Sequence, residues 1–242
     1  MTRRRADVVL VERGFFTSRA RAQEAIAAGL VTVNGTVIRR ASDTVPEDAV
    51  ITAEQPHPYV SRGGVKLAAA LDAFHIDPLG CVCLDVGAST GGFTEVLLNR
   101  GAAHVYAVDV GHGQLHPIVA ANPRVTNLEG TDARTLTRDL IPQPVDLLVS
   151  DVSFISLKLV LPTAVALLKP RAVLALLVKP QFEAGRDHVK KGIVRDEAVH
   201  RTVCEDMRTY VESLGFTPLG LVPSPIEGGD GNREFLLGAR RG

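Results

Sequence analysis

From residue 81 onward, short apolar runs alternate with helical stretches, and this rhythm limits the possible folds more than any other feature of the chain. The runs 81–86, 104–109, 125–128, 145–150 and 172–178 each read as a buried strand, and helical segments separate several of them. Strands joined through helices pair in parallel, in a sheet covered on both faces, so the fold class is α/β with a doubly wound sheet. Two later segments, 217–222 and 234–237, are close enough in sequence to add an antiparallel pair at one side. In open sheets of this kind ligands bind beyond the carboxyl ends of the strands, so residues that terminate each run are the site candidates.

The first 54 residues follow a different pattern. Apolar residues cluster over 6–16 up to Gly14, a second helix starts at Ser18 and stops at Gly29, and Val31, Val33 and Val37 flank Asn34-Gly35, the strongest short hairpin signal. A small α+β domain of helix, helix and hairpin is therefore expected over 1–54. The segment 55–60, with Pro56 and Pro58, is a short stiff linker, and the α/β domain runs over 61–242.

Lys+Arg and Asp+Glu number 27 each, so no bulk positive charge advertises nucleic acid, and any such surface has to be local. It is found in the first domain, whose basic side chains up to residue 42 are all arginine. Arg3, Arg4, Arg5, Arg19 and Arg21, with Lys190 and Lys191 later in the chain, are the candidates for gripping phosphates.

Other classes are disfavoured. No apolar stretch reaches the roughly 18 residues of a membrane span, and the basic amino terminus lacks a signal-peptide core. The chain is thus expected to be soluble, cytoplasmic and monomeric. With three cysteines, two of them (Cys81 and Cys83) on one face of a strand, and with His112 and His116 lacking a third ligand, no metal is expected.

After the first strand of the α/β domain comes a glycine-rich loop, Asp85, Val86, Gly87, Ala88, Ser89, Thr90, Gly91, Gly92 and Phe93, of the kind that lets a nucleotide approach the backbone. Asp109 ends the second strand, where a carboxylate can accept two ribose hydroxyls, and Asp132 follows the third, where an adenine would sit. Ser89 replaces the second glycine of a dinucleotide fingerprint, and Asp85 suits a cationic aminoacyl end while repelling a diphosphate. S-adenosylmethionine is favoured over NAD. Asp151 and Lys179 each follow an apolar run directly and should reach one crevice, where burial and a neighbouring carboxylate pull the lysine in opposite directions. Lys66 lies in the helical segment before the first strand, and Glu234 begins the last strand.

Here the chain begins to resemble known families. SRARAQEAIAAGLVTVNG resembles the ribosomal-protein-S-four-like RNA-binding domain, and the order Lys66, Asp151, Lys179, Glu234 resembles the Lys-Asp-Lys-Glu tetrad of FtsJ-like ribose 2′-O-methyltransferases. YVSRGGVKL, LDVGASTGGFTEVLL, VSDVSFISL, LVKPQFEAG and the final GN-x-E-F-L are similar to the TlyA, or haemolysin A, family over essentially the whole chain. The resemblance implies a Rossmann-like class I methyltransferase with a mostly parallel seven-stranded sheet. It also implies S-adenosylmethionine-dependent 2′-O-methylation of cytidine in ribosomal RNA, with rRNA or a ribosomal subunit as partner. The end at Gly242 resembles the shorter type that modifies the large subunit alone; other members modify both subunits, so small-subunit rRNA stays open as a second target. The aromatic linker tetrapeptide of some members is absent from 55–58. The alternatives are a cytolysin, as the family's older name has it, a non-catalytic RNA-binding assembly factor, or a different RNA-modifying enzyme with the same front domain.

Overall fold

The computed structural model describes residues 3–228 and 231–242. They form two compact units that divide between Pro58 and Tyr59.

In the first unit β1 (Arg3–Arg5) leads into α1 (Ala6–Glu12) and α2 (Arg19–Ala27), then β2 (Val31–Val33), β3 (Thr36–Val37), β4 (Thr44–Pro46) and β5 (Ile51–Ala53). Local signals account for the helices and the hairpin. The Ser18 Oγ accepts the Arg21 N–H at 3.3 Å and caps α2. Asn34 and Gly35 both have positive φ, 50° and 78°, as the tight turn between β2 and β3 requires. β5 pairs with β2, and β4 pairs with β1. These additional strands were not anticipated, because three residues carry too little alternation to be recognised. Leu10, Ala22, Ala25, Ile26 and Val31 form a fully buried centre. Part of the expected linker is bound into this unit: the Gln55 amide donates to the Phe15 carbonyl at 3.0 Å, and Arg21 donates to Gln55 Oε1 and to the His57 carbonyl.

The second unit runs α3 (Gly63–Ala73), β6 (Val82–Val86), α4 (Gly92–Asn99), β7 (His104–Asp109), α5 (Pro117–Ala120), β8 (Val125–Glu129), β9 (Val145–Ser150), α6 (Leu157–Val165), β10 (Leu168–Val178), α7 (Pro180–Glu183), α8 (Glu197–Ser213), β11 (Thr217–Pro223) and β12 (Phe235–Arg241). The seven strands lie in the order β11-β12-β10-β9-β6-β7-β8. Only β12 is reversed, antiparallel to both β10 and β11, so the sheet is mostly parallel and carries the expected late antiparallel pair.

Both faces of this sheet are covered, which explains the continuous apolar runs 147–149 in β9 and 172–178 in β10. Cys83, Leu147, Val149 and Leu177 pack beneath Leu67 and Leu71 of α3 and Leu97 of α4. Leu84, Leu148, Leu174 and Leu176 face the opposite way, toward Leu157 and Leu161 of α6 and Met207 and Val211 of α8. β10 begins at Leu168, four residues before the apolar run suggests, with an irregular register between Leu168 and Val173. β12 begins at Phe235, so Glu234 stands just ahead of the strand. Among the described residues no helix is long and apolar enough to cross a membrane.

Candidate active site

Strand direction gathers the chemistry at one edge of the sheet. Asp151 follows β9, its N–H donating to the Val86 carbonyl at 3.0 Å, and Lys179 follows β10 directly, where Pro180 opens α7. Lys66 lies within the first turns of α3, and Glu234 precedes β12.

Four side chains so far apart in sequence form two ion pairs. Lys179 Nζ is 2.5 Å from Asp151 Oδ1 and donates to Ser153 Oγ at 2.8 Å. Lys66 Nζ is 2.5 Å from Glu234 Oε2, and both side chains are almost wholly buried. Lys66, Lys179 and Glu234 line a cleft of about 390 Å³ together with Ser153, Phe154 and Gln181. The chain around Glu234 is fixed by buried Asn232, whose amide accepts from the Val194 N–H and donates to the Gly192 carbonyl.

A second crevice, of about 380 Å³, shares Ser153 and Phe154 with that cleft and contains Asp151. Gly87, Ser89, Asp109 and Asp132 of the expected cofactor residues line it. Asp109 accepts the Ser89 and Gly111 N–H groups, each at 2.8 Å, which ties the glycine-rich loop to the end of β7. Asp132 is bound by the Arg134 guanidinium, which holds its carboxyl down at about 2. Among the described lining residues there are three carboxylates and no lysine or arginine.

Gly87, at φ 87°, permits a close contact between the loop and the backbone of Asp151. A Cβ there would lie 2.7 Å from the Asp151 carbonyl oxygen, closer than real side chains come. Gly91, at φ 94°, opens α4.

Six other residues nominated from the loop, Asp85, Ala88, Thr90, Gly91, Gly92 and Phe93, do not line the crevice. Asp85 has the parity of Cys83 on β6 and is fully buried, with Oδ2 accepting the Thr94 hydroxyl at 2.7 Å. The carboxylate that joins Asp109 and Asp132 in the crevice is instead that of Asp151. Burial pushes the Asp85 carboxyl up to about 7, against the Thr94 hydrogen bond that pulls it down. The unfolded chain releases this proton near the ordinary value of 3.8 and the folded chain near 7, so this group's contribution to stability declines as pH rises through that window. Asp85→Asn has no proton to lose. Its melting temperature relative to the parent is expected to climb between about pH 4 and pH 7 and then level off. A pH-independent difference in thermal melts would show that burial does not hold the proton.

The arginines nominated for RNA have partners within the first unit. Arg5 and Arg19 pair with fully buried Asp7 at 3.0 and 2.8 Å, and the Arg5 guanidinium above all holds that carboxyl far below the usual range. Arg4 pairs with Glu12 at 2.6 Å, and Arg21 holds Gln55. The side chain of Arg3 lies outside the described residues. Lys190 and Lys191 are exposed in the loop after α7. Arg39 and Arg40, part of the same arginine excess, are exposed beyond the hairpin and carry no side-chain ion pair among the described residues. His116 caps α5 through Nδ1, and no group of three His, Cys, Asp or Glu among the described residues could hold a metal ion.

Ser153 and Phe154 were not singled out, although both fall within the motif VSDVSFISL. Phe154 is 92% exposed and adopts φ 65°, a left-handed conformation that is uncommon for a bulky residue. It projects at the lip shared by crevice and cleft.

A sheet in this order with one reversed strand, carrying an acidic crevice beside two lysine–carboxylate pairs, defines a methyltransferase. Residues 59–241 match the FtsJ-like methyltransferase family, and residues 4–51 match the S4 domain. The chain is 44% identical over 241 residues to the 16S/23S rRNA (cytidine-2′-O)-methyltransferase TlyA of Mycobacterium tuberculosis, spanning 98% of this chain and 90% of that protein. It is 38% identical over 234 residues to the protein named Hemolysin A of Brachyspira hyodysenteriae, spanning 96% of this chain and 98% of that one. A solved structure from Streptococcus thermophilus, provisionally named a hemolysin, superimposes with a TM-score of 0.79 at 38% identity, covering 100% of this chain and 89% of that chain. The chain belongs to the TlyA family of FtsJ-like methyltransferases.

Proposed function

We infer that the protein transfers a methyl group from S-adenosylmethionine to the ribose 2′-hydroxyl of a cytidine in ribosomal RNA. The observation that carries this reading is the shared lip. Ser153 and Phe154 border both the acidic crevice and the lysine-bearing cleft, so a donor in one and an acceptor in the other would meet at Asp151 and Lys179.

The crevice suits the cofactor. Of its three carboxylates, Asp132 is paired with Arg134 and Asp151 with Lys179, and Asp109, without an ion pair among the described residues, is left to meet the ligand and would repel a diphosphate. Asp109 retains lone pairs for the two ribose hydroxyls, and Asp132 stands beside the expected adenine position. When bound, S-adenosylmethionine supplies an electrophilic methyl group on a sulfonium and departs as a neutral thioether. Lys179, fixed by Asp151 and Ser153, orients the attacking hydroxyl and relays its proton toward the Asp151 carboxylate. Asp151 balances charge at that point. The Lys66–Glu234 pair also lines the cleft and holds the ribose in line, a positional effect that can account for several orders of magnitude in rate.

The substrate assignment draws on the relatives named for rRNA cytidine methylation and on the S4 match. In it the first unit grips RNA phosphates, with Arg39 and Arg40 joining the nominated arginines, Lys190 and Lys191 add contacts near the cleft, and the target nucleotide leaves its stack against Phe154. A protein acting on ribosomal RNA works in the cytoplasm.

Purified protein incubated with each ribosomal subunit and methyl-labelled cofactor, followed by mass mapping of the rRNA, tests the reading. The expected product is a 2′-O-methylated cytidine, in the large subunit at least. Label on a base, or none despite bound cofactor, would overturn it. A chain starting at Tyr59 is expected to bind the cofactor but to lose methylation of the subunit.

A further inference from the structure

We propose that Gln114 is a cofactor-binding residue held at the ribose end of the crevice by Glu129, an inference that rests on the function proposed above. Gln114 lines the acidic crevice with Asp109 and belongs to GHGQLHP, the segment that follows β7. Its side chain folds over Gly111: a Cβ at position 111 would run into the Gln114 amide and would stand 3.2 Å from Asp109 Oδ1. The amide and the carboxylate nominated for the ribose hydroxyls therefore flank one glycine. Of residues 110–116, Val110 and Gln114 line the crevice, and of these two Gln114 brings the polar side chain.

Residues 110–116 lie outside helix and strand, so their order has another source. Glu129 ends β8, where it is the register partner of Asp109. Its Oε1 accepts the Gln114 N–H at 2.6 Å and the Leu115 N–H at 3.0 Å, and its Oε2 accepts the Asn127 amide at 3.0 Å. The Asn127 amide above all, followed by the Leu115 and Gln114 N–H groups, holds this carboxyl down at about 2. The anchor is thus an anion throughout the neutral range, and N–H bonds to an anion are the strong kind.

The held segment also meets its neighbours. The Gly130 N–H donates to the Gly111 carbonyl at 2.8 Å, and the His116 N–H donates to the Thr90 carbonyl at 3.1 Å. Leu115 packs so closely on Gly91 that a Cβ there would lie 2.8 Å from its Cδ1. The ends of β7 and β8 and the glycine-rich loop are joined around Gln114, which fixes its backbone at the crevice wall. An amide both donates and accepts, so it can pair with a ribose hydroxyl whichever way that hydroxyl points.

Calorimetric titration of the full chain with S-adenosylmethionine and, separately, S-adenosylhomocysteine tests the proposal. Gln114→Ala is expected to weaken both ligands by the same factor, roughly threefold to tenfold, because the ribose is common to them. Gly111→Ala, which displaces the amide without removing it, should weaken them at least as much. Glu129→Ala should do so too, raising KM for the cofactor while kcat on ribosomal subunits moves less than about twofold. Glu129→Gln keeps an acceptor for the two N–H groups and should recover most of the affinity. In the Gln114→Ala background, Glu129→Ala should add less than about twofold.

A Gln114→Ala protein within about twofold of the parent, a loss confined to the sulfonium form, or losses that multiply in the double variant would each overturn the proposal. So would a Glu129→Gln protein as weak as Glu129→Ala, or a Glu129→Ala protein whose kcat falls in step with its affinity. If the parent binds neither ligand, the underlying function fails first, which separates the two.

Discussion

Lys179→Ala is expected to slow ribose methylation by roughly 10²- to 10⁴-fold, the range associated with loss of a positioned proton acceptor. The amine is fixed by Asp151 and Ser153, and the other lysine of the cleft is already engaged by Glu234. Cofactor affinity should remain near that of the parent, because Lys179 lines the cleft and not the acidic crevice. Lys179→Arg sharpens the experiment. Guanidinium keeps the positive charge but does not give up its proton at accessible pH, so it should be as slow as alanine if the amine moves a proton, and active if only charge is required. Single-turnover rates at saturating cofactor distinguish these outcomes, and an alanine variant within tenfold of the parent would remove Lys179 from the chemistry.

Glu234→Ala should cost about 3–5 kcal/mol of folding stability, because it strands the Lys66 ammonium in a buried position. Lys66→Met combined with Glu234→Met is expected to regain most of that loss while staying inactive, since apolar side chains of similar size fill the space without charge. Urea denaturation of the two variants and the parent reads the difference. If the single substitution costs less than about 1 kcal/mol, the pair is better solvated than its burial indicates.

The sheet was legible because its strands are buried on both faces, and 104–109 and 145–150 coincide with β7 and β9 residue for residue. The partnership of Lys66 with Glu234 was not legible locally: 168 residues separate them, and only a resemblance in the order of four residues linked them. Asp85 illustrates a different limit. Its position before a glycine-rich loop attracts a cofactor role, whereas the two-residue period of β6 turns it inward with Cys83. The arginines of the first unit look like a free basic patch until Asp7 is seen buried among them, and nothing in the local pattern reveals that an aspartate in an amphipathic helix faces inward. Strands β1, β4 and β5 escaped because their pairing depends on partners more distant than any turn signal.

Gly87 has a consequence for the residue beside it. The glycine-rich loop and the backbone of Asp151 touch with no gap for even a methyl group, so any side chain at position 87 would push the two apart. A change there is felt at Asp151 and, through its ion pair, at Lys179, although neither residue is altered.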